Sequence, residues 1–295
     1  MYKESRFLMG VNDISFPNLN IYLSNVPKSF TLAGGFSIAL YGVIIGCGIL
    51  LCVITAAYDR KSRGLNPDEL WDCALYGIIF GVIGARIYYV VFAWDIYKDD
   101  PISALNIRNG GLAIYGGVIA AFLTVYIFCR IKRISFPEMA DSVALVFPLG
   151  QAIGRWGNFF NREAFGGWSE NLLSMRLPLA AVRASDVNAE IISHVTESMD
   201  YIQVHPTFLY ESLWNTVLFI GLFLFRRHKA FPGEIFMLYL FFYGLGRFFI
   251  EALRTDQLIM PGVNFPVSRI VALLCMTVSA AVCIIMRSRG RKGQA

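Results

Sequence analysis

The chain has 295 residues, 56% of them apolar and only 16% charged, with a mean hydropathy of +0.54. A water-soluble domain carries about 25% charged residues, so the composition excludes a soluble globular protein and points to one embedded in a membrane. The net charge of +5 sits in short basic clusters between apolar runs, where it orients a membrane protein and implies no nucleic-acid partner.

In chain order, residues 1–35 lack an uninterrupted apolar core behind a basic start, so no cleavable signal peptide is expected. The segment is read as an extracytoplasmic N-terminal arm. Seven stretches then approach the roughly 20 apolar residues needed to cross a bilayer: 36–58, 71–94, 112–130, 139–159, 207–225, 235–253 and 267–286. Four basic clusters fall on one side of them. These are Arg60, Lys61 and Arg63; Arg130, Lys132 and Arg133; Arg226, Arg227 and Lys229; and Arg287, Arg289, Arg291 and Lys292. Together they hold half of the 26 Lys and Arg. The positive-inside rule puts that side in the cytoplasm, so the N-terminus lies outside and the C-terminus inside. The longest connection, 160–206, is polar from 167 onward and predicts a small extracytoplasmic head over 167–206, while 287–295 form a basic cytoplasmic tail. The predicted fold is an all-α integral membrane protein with seven transmembrane helices in one membrane domain, 36–286. Glycines four apart, as at Gly77 and Gly81 or Gly150 and Gly154, suit close helix packing. The six cysteines (Cys47, Cys52, Cys73, Cys129, Cys275 and Cys283) all lie inside spans with no Cys-x-x-Cys pair, and histidines number three. Neither a disulfide framework nor a metal site is expected.

The polar groups within the spans gather at one depth. Under the charge-bias topology, Tyr41 near the start of the first span, Arg86 in the second, and Gly110-Gly111 with Tyr115-Gly116-Gly117 opening the third all lie toward the outer leaflet. So do Arg155, Asn158 and Asn161 at the end of the fourth span, whose spacing of three puts them on one helical face. In the sixth, Tyr239, Tyr243, Arg247 and Glu251 are four apart and form one polar stripe. An ionisable group at membrane depth costs roughly 3 kcal/mol, which calls for a partner. A guanidinium grips phosphate in bidentate fashion, and a phospholipid headgroup is the anion present at that level. Plainer roles exist for each residue. Arg247 and Glu251 can pair along their helix, Glu163 or Glu211 can neutralise Arg155, Arg86 can snorkel to the interface, and Tyr41 can anchor there. Their coincidence at one level favours a site. A transporter or channel for an anionic solute would use the same arginines, but along a path rather than at one level. An intramembrane hydrolase would need a nucleophile elbow or metal motif, and none is visible.

The run Gly154-Arg155-Trp156-Gly157-Asn158-Phe159-Phe160-Asn161-Arg162-Glu163, followed by Phe165-Gly166, resembles the signature of the bacterial prolipoprotein diacylglyceryl transferase family. Further similarities follow in the family's order: Tyr41-Gly42, Gly84-Ala85-Arg86, the double glycine around Tyr115, His205-Pro206-Thr207 with Tyr210-Glu211, and Tyr243-Gly244 with Arg247-Phe248 and Glu251. The resemblance covers roughly residues 30–287. It implies a multi-pass enzyme of the bacterial cytoplasmic (inner) membrane that works without a cofactor. Its reaction would transfer the diacylglyceryl group of phosphatidylglycerol to the lipobox cysteine thiol of a preprolipoprotein signal peptide, forming a thioether and releasing glycerol 1-phosphate. The nucleophile is then the substrate's own, and the enzyme supplies cations for the leaving phosphate. Arg155 and Arg247 are the expected phosphate clamp, with Tyr115 as the third catalytic candidate. Tyr41, Arg86, Asn158, Asn161, Gly166 and Tyr243 are expected to bind substrate, and Glu163 and Glu251 to hold the arginines. Two positions depart from the family pattern. Tyr115 stands where many members carry a His proposed as a base, and Arg269 where Gln is usual at the start of the last span. Arg269 there is a headgroup contact or an interfacial anchor.

Overall fold

A computed structural model describes residues 9–32, 34–107, 110–196, 199–260, 262 and 265–292. Within them, apolar runs that lack buried-backbone alternatives become helices, since an α-helix satisfies every internal amide without water. The long ones are α1 (Leu40–Ser62), α2 (Asp68–Phe92), α4 (Ile114–Lys132), α5 (Phe136–Asn161), α7 (Thr207–Phe225), α8 (Glu234–Glu251) and α9 (Val267–Lys292). Two short helices, α3 (Trp94–Tyr97) and α6 (Ala189–Ser193), lie in connections. The protein is mostly helical, and among the described residues α1, α2, α4, α7 and α9 are long and apolar enough to cross a membrane. The other two expected spans correspond to α5 and α8. Both fall short of that apolarity for one reason: α5 carries Glu138, Asp141 and Arg155, and the 18-residue α8 carries Glu234, Arg247 and Glu251.

The chain divides into two compact units, one of Met1–Cys52 with Phe147–Ala295 and one of Val53–Val146. In the second unit α2 packs on α4 through small residues. A Cβ added to Gly116 would meet the Gly84 carbonyl oxygen at 2.4 Å, so the two backbones touch where only glycine fits. Two arginines at the end of α1 are neutralised locally. Arg60 pairs with Glu69 at 2.5 Å, and Arg63 with Asp59 at 2.8 Å and Glu138 at 3.2 Å.

In the first unit the arm and the 167–206 connection carry short strands alongside the small helix α6. Strands β1 (Ile14–Phe16), β2 (Ile21–Leu23), β5 (Met175–Pro178) and β6 (Tyr201–Val204) form an antiparallel sheet in the order β2-β1-β5-β6. Its register pairs Ser15 with Arg176 and Leu177 with Ile202. A separate hairpin joins β3 (Ser29–Thr31) to β4 (Ser37–Ala39) just before α1. Ile14, Leu177, Ile202 and Val204 are fully buried and pack with Phe159, Phe165 and Phe208 into one core, so the sheet is fastened to the end of α5 and the start of α7. Arg162 completes the fastening. It is 1% exposed and donates to the carbonyls of Asn12 at 2.7 Å and Val26 at 2.5 Å. Fixing these segments matters because the motif residues lie beside them.

Candidate active site

The end of α5 presents Arg155, Asn158 and Asn161 as the spacing predicts. Arg155 Nη1 donates to Asn158 Oδ1 at 3.2 Å. The Asn158 and Asn161 amides both donate to Glu163 Oε1, at 3.1 and 3.4 Å. The chain then reverses through Arg162 and Ala164, which hold positive φ angles of 57° and 58°. It passes between two other segments. Gly166 N–H donates to the His205 carbonyl at 3.0 Å, and Gly167 N–H to the Leu253 carbonyl at 2.9 Å. A Cβ on Gly166 would lie 2.6 Å from the Leu253 oxygen, so only glycine fits this crossing. Gly166 thus joins the end of α5 to the start of α7 and the end of α8.

The charge of Arg155 is met by Glu211 on α7, a carboxylate 3% exposed. Arg155 Nη2 and Glu211 Oε2 are 2.5 Å apart, and the other oxygen of Glu211 lies 3.2 Å from Arg247 Nη1. Arg247 Nη2 also pairs with Glu251 at 2.5 Å, one helical turn on. The series continues to Arg254, 3.4 Å from Glu211 and gripped by Asp256 through Nε at 2.8 Å and Nη2 at 2.6 Å. Three guanidiniums and three carboxylates thus interlock. Such burial is tolerable because each charge has an opposite neighbour. For Arg254, burial works against the charged form, and the hydrogen bonds and charge of Asp256, with Glu211 and Glu251, more than reverse this and raise its pKa. A guanidinium has five N–H donors, and the carboxylates and the Asn158 amide leave some of them on Arg155 and Arg247 unused. Their side chains keep exposures of 22% and 18%, so the cluster has an open side.

Tyr243 lies one turn before Arg247 and stacks on Tyr239 with ring centroids 5.5 Å apart. Tyr239 hydroxyl accepts from Gln151 on α5 at 3.0 Å. Tyr41 packs on α5, where a Cβ on Gly157 would come within 2.7 Å of its ring. Close by in sequence, burial pushes the His205 imidazole below its ordinary value, and its Nδ1 lies 3.3 Å from both the Tyr210 hydroxyl and the Asn171 amide.

Glu163 and Arg86 have partners that the sequence did not suggest. Glu163 holds no arginine of the cluster. It accepts from the two asparagines and from Arg183 at 3.1 Å, and the counter-ion shared by Arg155 and Arg247 is Glu211. Arg86, expected to bind substrate, is buried with its guanidinium turned to loop carbonyls. Nε donates to Ala104 at 2.7 Å, Nη1 to Gly110 and Gly111 at 2.8 Å each, and Nη2 to Asn106 at 3.0 Å. That cradle fastens the loop before α4 and leaves little for a headgroup. Tyr115, at the second position of α4, is exposed and belongs with Arg86 to the Val53–Val146 unit, while the other candidates belong to the first unit. Arg254 and Asp256 escaped the sequence reading. The available signal was the spacing of three from Glu251 to Arg254, which extends the Tyr239–Glu251 stripe by one turn.

Comparison with known proteins bears on what this cluster serves. The family model described as prolipoprotein diacylglyceryl transferase matches residues 27–286. A phosphatidylglycerol–prolipoprotein diacylglyceryl transferase of Clostridioides difficile is 43% identical over 232 residues, covering 79% of this chain and 84% of the relative. Proteins of the same name from Clostridium perfringens and Bacillus cytotoxicus are each 39% identical, covering 90% and 91% of this chain and 96% of each relative. The matched range takes in the whole Arg155–Glu211–Arg247 cluster, and by that match and these identities the chain belongs to the prolipoprotein diacylglyceryl transferase family.

Proposed function

We propose that the protein transfers the diacylglyceryl group of phosphatidylglycerol to the lipobox cysteine of a preprolipoprotein, and that the Arg155–Glu211–Arg247 cluster binds the phosphate that leaves. In the reaction the cysteine thiolate attacks the glyceryl carbon next to the phosphate ester. The carbon–sulfur bond forms, the carbon–oxygen bond breaks, glycerol 1-phosphate departs with the electron pair, and the thiol proton passes to solvent. The phosphate gains negative charge as the bond breaks, and preplaced cations act at that moment. The observation that carries this reading is Glu211. One buried carboxylate on α7 fixes Arg155 on α5 and Arg247 on α8, at 2.5 and 3.2 Å, so the two forks are ordered before substrate arrives. Asn158 and Tyr243 orient the headgroup beside them.

Tyr115 is assigned a hydrogen bond to the thiolate or to a phosphate oxygen. A neutral phenol is a poor base, and the thiol does not need a strong one. With an ordinary pKa near 8.5, about 3% of it is thiolate at pH 7, and neighbouring arginines favour the anion. Arg86 positions the loop that leads to Tyr115. We further read α5 and α8 as spans, giving seven. The basic clusters would then face the cytoplasm, and the head and the active site the outer face of the bacterial cytoplasmic membrane. The test is incubation of the purified protein with labelled phosphatidylglycerol and a lipobox peptide. A thioether-linked diacylglyceryl peptide is expected. Uptake of an anionic solute without that product would instead identify a transporter.

A further inference from the structure

Below the charge cluster α5 and α8 meet along matching stripes. Phe147, Gln151 and Arg155 are four apart on α5, and Tyr239, Tyr243 and Arg247 four apart on α8, so each set shares one helical face. At one end Arg155 and Arg247 share Glu211. Two turns away Tyr239 packs against Phe147, with ring centroids 5.8 Å apart, and its hydroxyl accepts from Gln151 Nε2 at 3.0 Å. Tyr239 is 8% exposed, and its ring stacks on Tyr243 with the planes 19° apart. The Gln151 amide is committed to this one contact, because its Oε1 is buried without a partner among the described residues. A buried polar atom with no partner costs free energy that an apolar side chain of similar shape would avoid. Packing alone therefore does not explain Gln151. What the amide adds is a tether from α5 to the far end of the Tyr239 ring.

We propose that Tyr239, tethered by Gln151, is a positioning residue for the transfer: it fixes the ring of Tyr243 and thereby aims the Tyr243 hydroxyl at the lipid headgroup. Tyr239 itself touches no reacting atom. It stands two turns from Arg247, whereas Tyr243 stands one turn from it. The constraint runs in steps that are each a direct contact. Gln151 on α5 holds the Tyr239 hydroxyl, the Tyr239 ring stacks on Tyr243, and Tyr243 shares the stripe that ends in the phosphate clamp. The same tether ties α5 to α8 two turns from the salt bridges of Glu211, so the two arginine-bearing helices are joined at two levels. This use of the pair rests on the transfer reading, in which Tyr243 orients the headgroup.

The experiment measures transfer to a lipobox peptide by the full-length protein in detergent, alongside the fluorine NMR signal of 3-fluorotyrosine placed at position 243. Tyr239→Leu removes the stacked ring and should lower kcat about thirtyfold, inside the hundredfold range of a small misplacement, with KM for the peptide unchanged. Tyr239→Phe keeps the ring and loses only the tether, so a fall of about fivefold is expected. In a Tyr243→Phe background there is no hydroxyl left to aim, and Tyr239→Leu should cost less than about twofold more, because coupled residues are not additive. The fluorine signal should be one narrow line in the wild type and broadened or shifted in Tyr239→Leu. An equal loss in both backgrounds, or a rate for folded Tyr239→Leu within twofold of wild type, would overturn the proposal. If Tyr239→Leu does not fold, Gln151→Met carries the same cycle, since it removes the tether and little volume. If Tyr243→Phe leaves no measurable rate, the fluorine signal decides, and an unchanged line would sink the idea. A wild-type protein that forms no thioether would refute the transfer reading, while the fluorine arm still reports whether Tyr239 fixes Tyr243.

Discussion

Replacing Glu211 by Gln tests the cluster at its most connected point. The carboxylate is 3% exposed and faces Arg155 at 2.5 Å, Arg247 at 3.2 Å and Arg254 at 3.4 Å. Gln is the same size, so packing is kept and only the charge is removed. Arg247 retains Glu251, and Arg254 retains Asp256. Arg155 is left with the Asn158 amide alone. Breaking a fully buried pair by removing one partner costs about 3–5 kcal/mol. Because Arg155 is 22% exposed, a stability loss of about 2–3 kcal/mol is expected, or a Tm lower by roughly 4–10 °C. The effect on rate should be larger. A positioning error of about 1 Å costs on the order of a hundredfold, and here both forks lose their common support. Thioether formation should fall at least a hundredfold, mostly in kcat, while Glu211→Asp should retain more activity because it keeps the charge. The assay is labelled transfer to a lipobox peptide, with Tm measured on the same protein. Activity of Glu211→Gln within threefold of wild type would refute the argument that this carboxylate sets the arginines in place.

Arg155→Ala and Arg247→Ala should each abolish or nearly abolish transfer while the protein remains in the membrane, and Arg247→Lys should also be poor because a point charge does not replace a fork; membrane abundance and product yield together check this. Single cysteines placed beside Gly110 and Gly166 should react with a membrane-impermeant reagent from outside, and those in Arg60-Lys61-Ser62-Arg63 only from inside; the reverse pattern would invert the topology. Burial lowers the His205 pKa below 6.5, so the unfolded chain binds the proton first. Stability should therefore fall as pH drops below about 6.5, and His205→Gln should flatten the Tm–pH curve over that range. Tyr115→Phe should keep measurable activity with a loss of about 1–3 kcal/mol in transition-state stabilisation, and Tyr115→His should be tolerated; complete loss in Phe with rescue by His and a new rate dependence near pH 6.5 would show that a base is essential.

The parts that could be read from sequence were those governed by local rules. Apolar run length located the long helices, and helical spacing put Arg155 beside Asn158 and Arg247 beside Glu251, as found at 3.2 and 2.5 Å. What escaped was non-local or too short to show a period. The strands of the head have three or four residues, and Ser15 pairs with Arg176 across most of the chain, so no alternation announces the sheet. Arg86 is a cation in an apolar run, and sequence suggested either a ligand or a snorkelling tip. Its true partners are the carbonyls of Ala104, Asn106, Gly110 and Gly111, which come within reach only once the loop before α4 has folded. Glu163 was nearest to Arg155 in sequence. Sequence left Glu163 and Glu211 as alternative counter-ions, and only the packing of α7 against α5, a non-local contact, selects Glu211.

The interlocked charges also differ in what they leave open. Arg247 has two carboxylate partners and Arg254 has three, including the bidentate Asp256, whereas Arg155 has Glu211 and a neutral amide. It is also the most exposed of the three, at 22% against 18% and 10%. A cation already neutralised by two anions gains less from a third than one neutralised once, because each added carboxylate repels the incoming phosphate. Arg155 should thus take the larger part of the leaving phosphate, with Arg247 and Arg254 holding Glu211 and Glu251 in place. If α5 and α8 span as proposed, the balance of three guanidiniums by three carboxylates is what lets the cluster stand at membrane depth. On the proposed reading a bound phosphate tips the cluster toward negative charge, and that excess should favour departure of the anionic product once the carbon–oxygen bond has broken.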